Sequence, residues 1–177
     1  MERDELAEKI REIGFSCTQC GVCCRDTEGD GNLVMVFPAE INELARATGN
    51  KAADFTSPYT EKVQTPGGGS ITFEWCLKRN REGCIFLDGT HCTMYPSRPW
   101  ICRTYPFMLS RDGLSLSPCQ GIGNEISRNE AEEIAGLLIA RKAAEDEEEE
   151  RVRKYLSSHS IPVGKDVLID GTGVRVL

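Results

Sequence analysis

The pattern of hydrophobic and polar positions predicts short helices in the first third of the chain. Residues 3 to 13 carry apolar side chains at the i, i+4 and i+7 spacing of one helix face, and Gly14 follows them as a stop. A second helix is predicted from Pro38, which suits the first helical position, to Gly49. A third, short helix is expected at residues 51 to 55.

Short apolar runs predict the strands. Residues 33 to 37 read as a buried strand, and residues 71 to 75 form a second strand that we expect to pair with it. A further short strand is predicted at residues 114 to 117. The stretch from residue 25 to residue 32 is rich in Gly and Asp and is predicted to be a loop.

The stretch from Cys84 to Cys92 predicts a β-hairpin, because an Asp-Gly turn signal separates an apolar run from a polar one. A two-residue loop at this signal sends the two cysteines to opposite faces. A three-residue loop, residues 88 to 90, pairs Phe86 with Cys92 and places both cysteines on one face. If both cysteines bind one centre, the longer loop is required.

Two more helices are predicted in the second half of the chain. Pro99 begins a short helix that carries Cys102 and ends before Pro106. Ser127, with a Glu three residues later, forms a capping box that starts a long helix from residue 128 to about residue 157.

The long helix changes character along its length. Its first half is expected to pack through Ile134, Leu137 and Leu138. Its acidic middle, residues 145 to 150, is polar all round and is predicted to project into water. Ion pairs are expected there with the acid four residues before the base; they are Glu147–Arg151, Glu149–Arg153 and Glu150–Lys154. Residues 167 to 176 predict a terminal hairpin.

Together these elements predict an α+β fold. It consists of a small irregular metal-stabilised domain with short strands and helices, a long C-terminal helix and a terminal β-hairpin. We divide the chain into a cysteine-cluster domain, residues 1–123, and a second part, residues 124–177, that packs on this domain or projects from it. The hydrophobic content of 40% is low for a globular chain, which indicates that metal helps to hold the centre.

Charge and hydropathy exclude several partners. The net charge is −7, but residues 145 to 150 carry −6 of it and leave −1 for the remainder, so we expect no nucleic-acid binding. The longest apolar runs fall short of membrane-spanning length, and the first residues lack the pattern of a signal peptide. We therefore expect no membrane association and a cytoplasmic location, where clustered cysteines more often bind metal than form disulfides.

Nine cysteines carry the candidate chemistry. Four of them, Cys17, Cys20, Cys23 and Cys24, fall within eight residues, a density that packing does not require. Pairs of cysteines separated by two residues let one loop wrap several sulfurs around a centre, as zinc and iron–sulfur proteins do. Because neighbouring side chains tend to point in different directions, the adjacent pair Cys23 and Cys24 predicts two nearby centres or one polynuclear centre.

Longer motifs extend this pattern along the chain. They are Cys17-x2-Cys20-Gly21-x-Cys23-Cys24, Cys84-Ile85-Phe86-Leu87 with Cys92, Tyr95-x2-Arg98-Pro99-x2-Cys102-Arg103-x-Tyr105-Pro106-Phe107, and Cys119-x-Gly121. In these motifs the chain resembles the YkgJ-like or CxxCxCC cysteine-cluster family of zinc- or iron-chelating domains, over about residues 15 to 123. Similar domains occur in flagellin lysine methylases. The resemblance implies metal chelation rather than a named reaction.

The family pattern implies eight metal-binding cysteines. They are Cys17, Cys20, Cys23, Cys24, Cys84, Cys92, Cys102 and Cys119. The preferred division places Cys119 with Cys17, Cys20 and Cys23 in one group, and Cys24 with Cys84, Cys92 and Cys102 in the other. The main alternative is a single four-cysteine site with the remaining four cysteines nearby. Cys76 is left as a core or spare thiol, and His91 as a less favoured substitute for one sulfur.

The metal is either zinc or iron. Three cysteines at two-residue spacing with a remote fourth also describe a ferredoxin site, which favours a [4Fe–4S] cluster over Zn²⁺. Each centre with four thiolates carries a charge of about −2, so one or two such centres need compensation. Arg98 and Arg103 lie beside ligands in the sequence and are candidate cofactor-binding residues for this purpose.

The preferred function is a cytosolic metal-binding protein that supports electron transfer or the maturation of another protein. The alternatives are a structural zinc adaptor module and an accessory or catalytic domain of a methyl-transfer or redox enzyme. Because the sequence contains no catalytic signature, enzymatic activity and catalytic residues are left undecided. The protein partner and the oligomeric state are also left open.

Overall fold

The computed structural model describes residues 2–25 and 33–177, so the loop predicted at residues 25 to 32 lies almost wholly outside the described residues. Within them the structure confirms the α+β fold, the long C-terminal helix and the terminal hairpin. The helices are α1 (Arg3–Ile13), α2 (Pro38–Thr48), α3 (Ala52–Phe55), α4 (Trp100–Thr104) and α5 (Arg128–Ser158), with 3₁₀ turns at Val22–Cys24 and Tyr95–Ser97. The strands are β1 (Met35–Val36), β2 (Thr56–Pro58), β3 (Val63–Gln64), β4 (Ser70–Thr72), β5 (Trp75–Leu77), β6 (Arg79–Asn80), β7 (Gly83–Cys84), β8 (Leu87–Asp88), β9 (His91–Cys92), β10 (Phe107–Ser110), β11 (Gly113–Leu116), β12 (Val167–Asp170) and β13 (Gly173–Val176).

The helix ends follow the start and stop signals of the sequence. Gly14 ends α1 with its N–H bonded to the Ile10 carbonyl at 2.9 Å, and Gly49 ends α2 with a φ of 71°. At the start of α5, the Ser127 N–H donates to a Glu130 carboxylate oxygen at 2.9 Å, and the Glu130 N–H donates to the Ser127 hydroxyl at 3.2 Å. The predicted capping box is therefore confirmed.

The chain forms two compact units, each built from two separate stretches of sequence. The first comprises Met1–Asn32 and Arg81–Ala144, and the second comprises Leu33–Asn80 and Glu145–Leu177. The division predicted at residue 123 separates the chain by cysteine content rather than by compactness, and it stays a prediction.

The first unit has a hydrophobic core between α1, the first half of α5 and the β10–β11 hairpin. Leu6 and Ile10 of α1 are fully buried with Phe107 of β10. From α5 the fully buried members are Ala131, Ala135 and Leu138, with Ile134 packed against them. The Phe15 ring meets the Phe107 ring edge to face at 5.7 Å between centroids, so the chain that enters the cysteine loop is anchored on this core.

The second unit contains two sheets. One has the strand order β13-β12-β4-β3 with β12 parallel to β4, and the other has the order β1-β5-β2. The single strand predicted at residues 71 to 75 is wrong, because the chain leaves strand geometry at Phe73 and Glu74. As a result β4 joins the first sheet, and only β5 makes the expected antiparallel pairing with β1.

The second half of α5 packs on the first of these sheets instead of projecting into water on all sides. Val152, Tyr155 and Leu156 contact the buried cluster of Ile71, Val167 and Ile169. The Glu148 side chain is only 13% exposed, and its carboxylate accepts the Gly171 N–H at 2.5 Å. The composition of the acidic run concealed this inner face, which follows from the helical period.

The outer face of the same segment carries ion pairs. Glu147–Arg151 at 3.3 Å and Glu149–Arg153 at 2.6 Å are confirmed, whereas Glu150 pairs with Arg153 at 2.5 Å. Although α5 has 31 residues, neither it nor any other helix in the described part of the chain is apolar enough to cross a membrane.

One buried carboxylate organises the terminal hairpin. Asp170 is 1% exposed and accepts hydrogen bonds from the Trp75 indole N–H and the Thr172 backbone N–H, both at 2.9 Å, and from the Arg175 guanidinium. Burial raises the pKa of Asp170, but the hydrogen bonds from Thr172 and Trp75 outweigh it and hold this pKa below its usual value.

Candidate metal centre

Two chain segments of the first unit, residues 14–16 and 121–123, run antiparallel and place two candidate ligands side by side. Their backbone hydrogen bonds are Ser16 N–H to Gly121 O at 3.1 Å and Gly123 N–H to Gly14 O at 3.0 Å, with a bridge between Phe15 and Ile122. Cys17 follows the first segment directly, and Cys119 lies two residues before the second. The frame therefore joins cysteines that are 102 positions apart in the sequence.

The cysteine loop also lies against the β8–β9 turn. Gly21 has a φ of 73°, and a Cβ on it would stand 2.9 Å from the Thr90 carbonyl oxygen, so only glycine allows this approach. The Arg25 guanidinium donates to the Gly89 carbonyl at 2.7 Å. These contacts hold the loop next to the hairpin that carries Cys92.

The register of this hairpin differs from both predicted versions. Leu87 pairs with Cys92 and Asp88 with His91, around a two-residue loop one position later than the Asp-Gly signal indicated. Cys84 belongs to β7, because the chain turns at residues 85 and 86. The expected pairing of Phe86 with Cys92 is therefore wrong, and Cys84 and Cys92 do not share a face of one hairpin, because Cys84 lies outside β8.

Cys24 reaches the neighbourhood of Cys84 through Gly83. A Cβ on Gly83 would stand 2.2 Å from the Cys24 carbonyl oxygen, and the φ of this glycine is 137°. Sequence reasoning did not single out Gly83, although a glycine directly before a ligand was the available signal for a close backbone approach.

Helix α4 brings Cys102 to the same place. The helix begins after Pro99 as predicted. Burial raises the pKa of the Cys102 thiol strongly, and the neighbouring thiols of Cys84, Cys23 and Cys92 raise it further. Three candidate ligands from two other stretches of sequence therefore lie within electrostatic reach of Cys102.

A second neighbourhood surrounds Cys119. Burial raises the pKa of the Cys119 thiol, and Cys20, Cys23 and Cys17 add to the effect. The Cys23 thiol lies 3.9 Å from that of Cys24, and its pKa is also raised, by the Cys24 hydrogen bond and by burial. Cys23 is thus a neighbour of both groups of thiols.

Backbone N–H groups point at three of the sulfurs. In each case the donor lies two residues after the cysteine: Val22 for Cys20, Met94 for Cys92, and Gly121 for Cys119, the last at 3.4 Å. The Val22 N–H and the Thr18 hydroxyl lower the pKa of Cys20. Such donors stabilise the thiolate form, which is the form that binds metal.

The two predicted arginines differ in their surroundings. The Arg98 guanidinium lies 3.6 Å from the centroid of the Tyr95 ring, and its Nε donates to the Tyr95 carbonyl at 3.0 Å. Its positive charge acts to lower the pKa values of Cys23, Cys92 and Cys102. The Arg103 Nε is buried and has no hydrogen-bond partner within the described residues.

Cys76 and His91 are the two less favoured candidates for metal ligands. Cys76 is 4% exposed in β5 of the second unit, and its thiol donates to the Ser57 carbonyl at 3.5 Å. His91 is exposed, and its Nδ1 lies 3.2 Å from the Thr90 hydroxyl. Their exclusion from the ligand set stays a prediction.

The chemistry of the donor set fits a thiophilic metal. Within residues 2–25 and 33–177, no three His, Cys, Asp or Glu side chains already stand in a metal-holding arrangement. The pKa of Cys23 is raised by the Cys24 hydrogen bond, by burial and by the charge of Cys24, and the pKa of Cys102 is raised by burial and by neighbouring thiols. A bound cation would offset the burial and the repulsion. Clustered cysteine thiols with N–H donors are typical of a cysteine-rich metal-binding domain.

The comparison with known families agrees with this class. Residues 16–120 match the CxxCxxCC family, described as a "Putative zinc- or iron-chelating domain", over more than half of the 177 residues. The chain therefore belongs to this family, as its resemblance to the cysteine-cluster proteins predicted. No solved structure matches the chain.

Proposed function

We propose that the chain binds zinc or iron through the thiolates of eight cysteines arranged in two adjoining groups. The first group comprises Cys17, Cys20, Cys23 and Cys119, and the second comprises Cys24, Cys84, Cys92 and Cys102. Cys23 stands where the groups adjoin, because it is an electrostatic neighbour of both Cys119 and Cys102. One polynuclear centre and two separate centres are both compatible with this arrangement.

The convergence of thiols from distant parts of the chain supports this proposal most strongly. The cysteine loop approaches residues 83–90 through backbone contacts that admit only glycine at Gly21 and Gly83. The stretch that carries Cys119 joins the same loop through backbone hydrogen bonds between residues 14–16 and 121–123. Thiolates brought this close repel each other, so their ionised, metal-binding form is stabilised only when a cation is bound.

The arginines have a role in charge balance. Two four-thiolate centres carry a net negative charge, and Arg98 already acts on three of the thiols. The buried Nε of Arg103 is a donor that a cluster sulfide or a ligand sulfur would satisfy. We propose that both residues bind the cofactor in this indirect way.

We further propose that the centre is a [4Fe–4S] cluster and that the protein acts in the cytoplasm, in electron transfer or in the maturation of a partner protein. A cluster would supply one-electron redox chemistry, whereas Zn²⁺ would supply only a structural cross-link. The spacing of three cysteines by two residues with a remote fourth supports the cluster.

The deciding experiment is metal and acid-labile sulfide analysis, with a visible absorption spectrum, on protein purified without oxygen. Iron with sulfide and a visible band that bleaches with dithionite supports the redox function. A colourless protein with stoichiometric zinc supports the structural alternative. If the protein binds neither iron nor zinc after reconstitution, the proposal is refuted.

A pair of cysteine variants tests the ligand set. Cys102→Ser should lower metal content and destabilise the fold, because metal binding and folding are coupled. Cys76→Ser is the matched control, since it removes a buried thiol that is bonded within a sheet, and it should retain the full metal content. The reverse result would contradict the assignment.

A further inference from the structure

We propose that Cys17, Cys20 and Cys119 form an exchangeable edge of the centre, from which metal passes to outside acceptors while the metal held by Cys84, Cys92 and Cys102 is retained. This inference rests on the proposed function, because it assigns different roles to two parts of the same thiol cluster. It makes the protein a metal donor as well as a metal binder.

The exposure of the cysteines and of their neighbours differs between the two parts. Cys17 is exposed between exposed Ser16 and Thr18, and Cys119 is half-buried between exposed residues. By contrast Cys84 is only 6% exposed and follows the buried Gly83, while Cys20, Cys92 and Cys102 are half-buried like Cys119. A chelator or an acceptor thiol therefore reaches Cys17, in the first part, before it reaches Cys84, in the second.

The exchangeable edge is also held in place without metal. The antiparallel frame of residues 14–16 and 121–123 rests on backbone hydrogen bonds, and the Gly121 N–H donates to the Cys119 sulfur at 3.4 Å. The frame includes Phe15, whose ring packs on Phe107 in the core. Loss of the metal at this edge leaves the ligands positioned, so release does not require unfolding.

The retained part is connected to the core through a helix and the strand that follows it. Cys102 lies in α4, where Thr104 is fully buried and donates to the Trp100 carbonyl at 3.0 Å. Strand β10 follows at once with Phe107, which is fully buried. Removal of metal from this part disturbs α4 and the core together, which opposes its release.

The exchange step balances without electron transfer. A metal held by this group would lose its bonds to four thiolates, that of Cys23 included, as bonds to the acceptor formed, and each thiolate released would take one proton from solvent. Neither oxidant nor reductant is required.

The test uses the full chain, reduced and loaded with Zn²⁺, mixed with the chromogenic chelator 4-(2-pyridylazo)resorcinol. We expect two phases of zinc release. Iodoacetamide added during the fast phase should label Cys17, Cys20 and Cys119, which trypsin places on peptides 12–25 and 112–128. Peptide 82–103, which contains Cys84, Cys92 and Cys102, should stay unlabelled until the slow phase.

Variants complete the test. Cys17→Ser should abolish the fast phase and keep the slow one, while the control Cys76→Ser should keep both. The labelling pattern of the unaltered chain gives the same information if a variant does not fold. A single phase, or early labelling of peptide 82–103, overturns the inference but not metal binding; absence of any bound zinc overturns both this inference and a zinc-binding function.

Discussion

The substitution Gly121→Ala tests whether the antiparallel frame positions the metal ligands. A Cβ at this position would stand 2.3 Å from the Ser16 carbonyl oxygen, about 0.7 Å inside the 3.0 Å limit that real Cβ atoms respect. It would also stand 3.1 Å from the Phe15 ring, which is held in the core, so neither neighbour yields easily. The segment that carries Cys119 must therefore move away from the segment that carries Cys17.

This displacement is large on the scale of metal ligation. Metal–sulfur distances tolerate deviations of roughly 0.2 Å, so a shift several times larger removes Cys119 from a shared centre. We expect metal affinity to fall roughly 10- to 100-fold, the usual effect of misplacing the support of a ligand. Competition with a chromogenic chelator measures the loss, and circular dichroism checks that the helices remain.

The control is Gly123→Ala, two residues further along the same segment. A Cβ there would meet no atom within 4 Å, but its φ of +86° is strained for alanine. This variant should lose about 1 kcal/mol of stability and keep its metal affinity. The reasoning fails if Gly121→Ala binds metal as tightly as the unaltered chain, or if Gly123→Ala loses as much affinity.

Three further predictions concern charge, capping and the buried carboxylate. Arg98→Gln should weaken metal binding about tenfold, because it removes a positive charge that acts on three thiols; chelator competition at several salt concentrations measures this. Ser127→Ala should lower the free energy of unfolding by about 1 kcal/mol in urea titration, because the first turn of α5 loses its cap. Asp170→Asn should cost about 2 kcal/mol at pH 7, because it weakens bonds from the Trp75 indole and the hairpin backbone, whereas the exposed Asp166 should tolerate the same change better. The folded-state pKa of Asp170 is lowered, so its stabilisation is present above the ordinary value of 3.8 and is lost as the pH falls through the folded value; the gap between wild type and variant should close only in acid.

Local signals determined most of the helices and the chemistry of the site. Gly14, Pro38, Gly49 and Ser127 set helix ends because each acts through its own backbone or its nearest neighbours. The cysteine spacing likewise identified a metal-binding class, since two-residue intervals restrict what one loop can do. The terminal hairpin followed from its alternating pattern in the same way.

Strand pairing and register were decided by the tertiary structure. The run at residues 71 to 75 was predicted to be one strand. Its two ends instead belong to different sheets, and Phe73 and Glu74 between them are not in a strand. The β8–β9 loop shifted by one position relative to the Asp-Gly signal. Local conformational preferences of single residues differ by only about 1 kcal/mol. Contacts with neighbouring segments therefore override them.

The sequence by itself therefore determined the metal-binding class and the candidate ligands, because thiolate chemistry and spacing are properties of the residues. Which thiols become neighbours was decided only by the fold. Backbone bonds between residues 14–16 and 121–123 bring the stretch of Cys119 to that of Cys17, and the backbone of Cys24 lies beside Gly83, the residue before Cys84. Contacts between chain segments so far apart depend on backbone geometry and core packing, which no local pattern encodes.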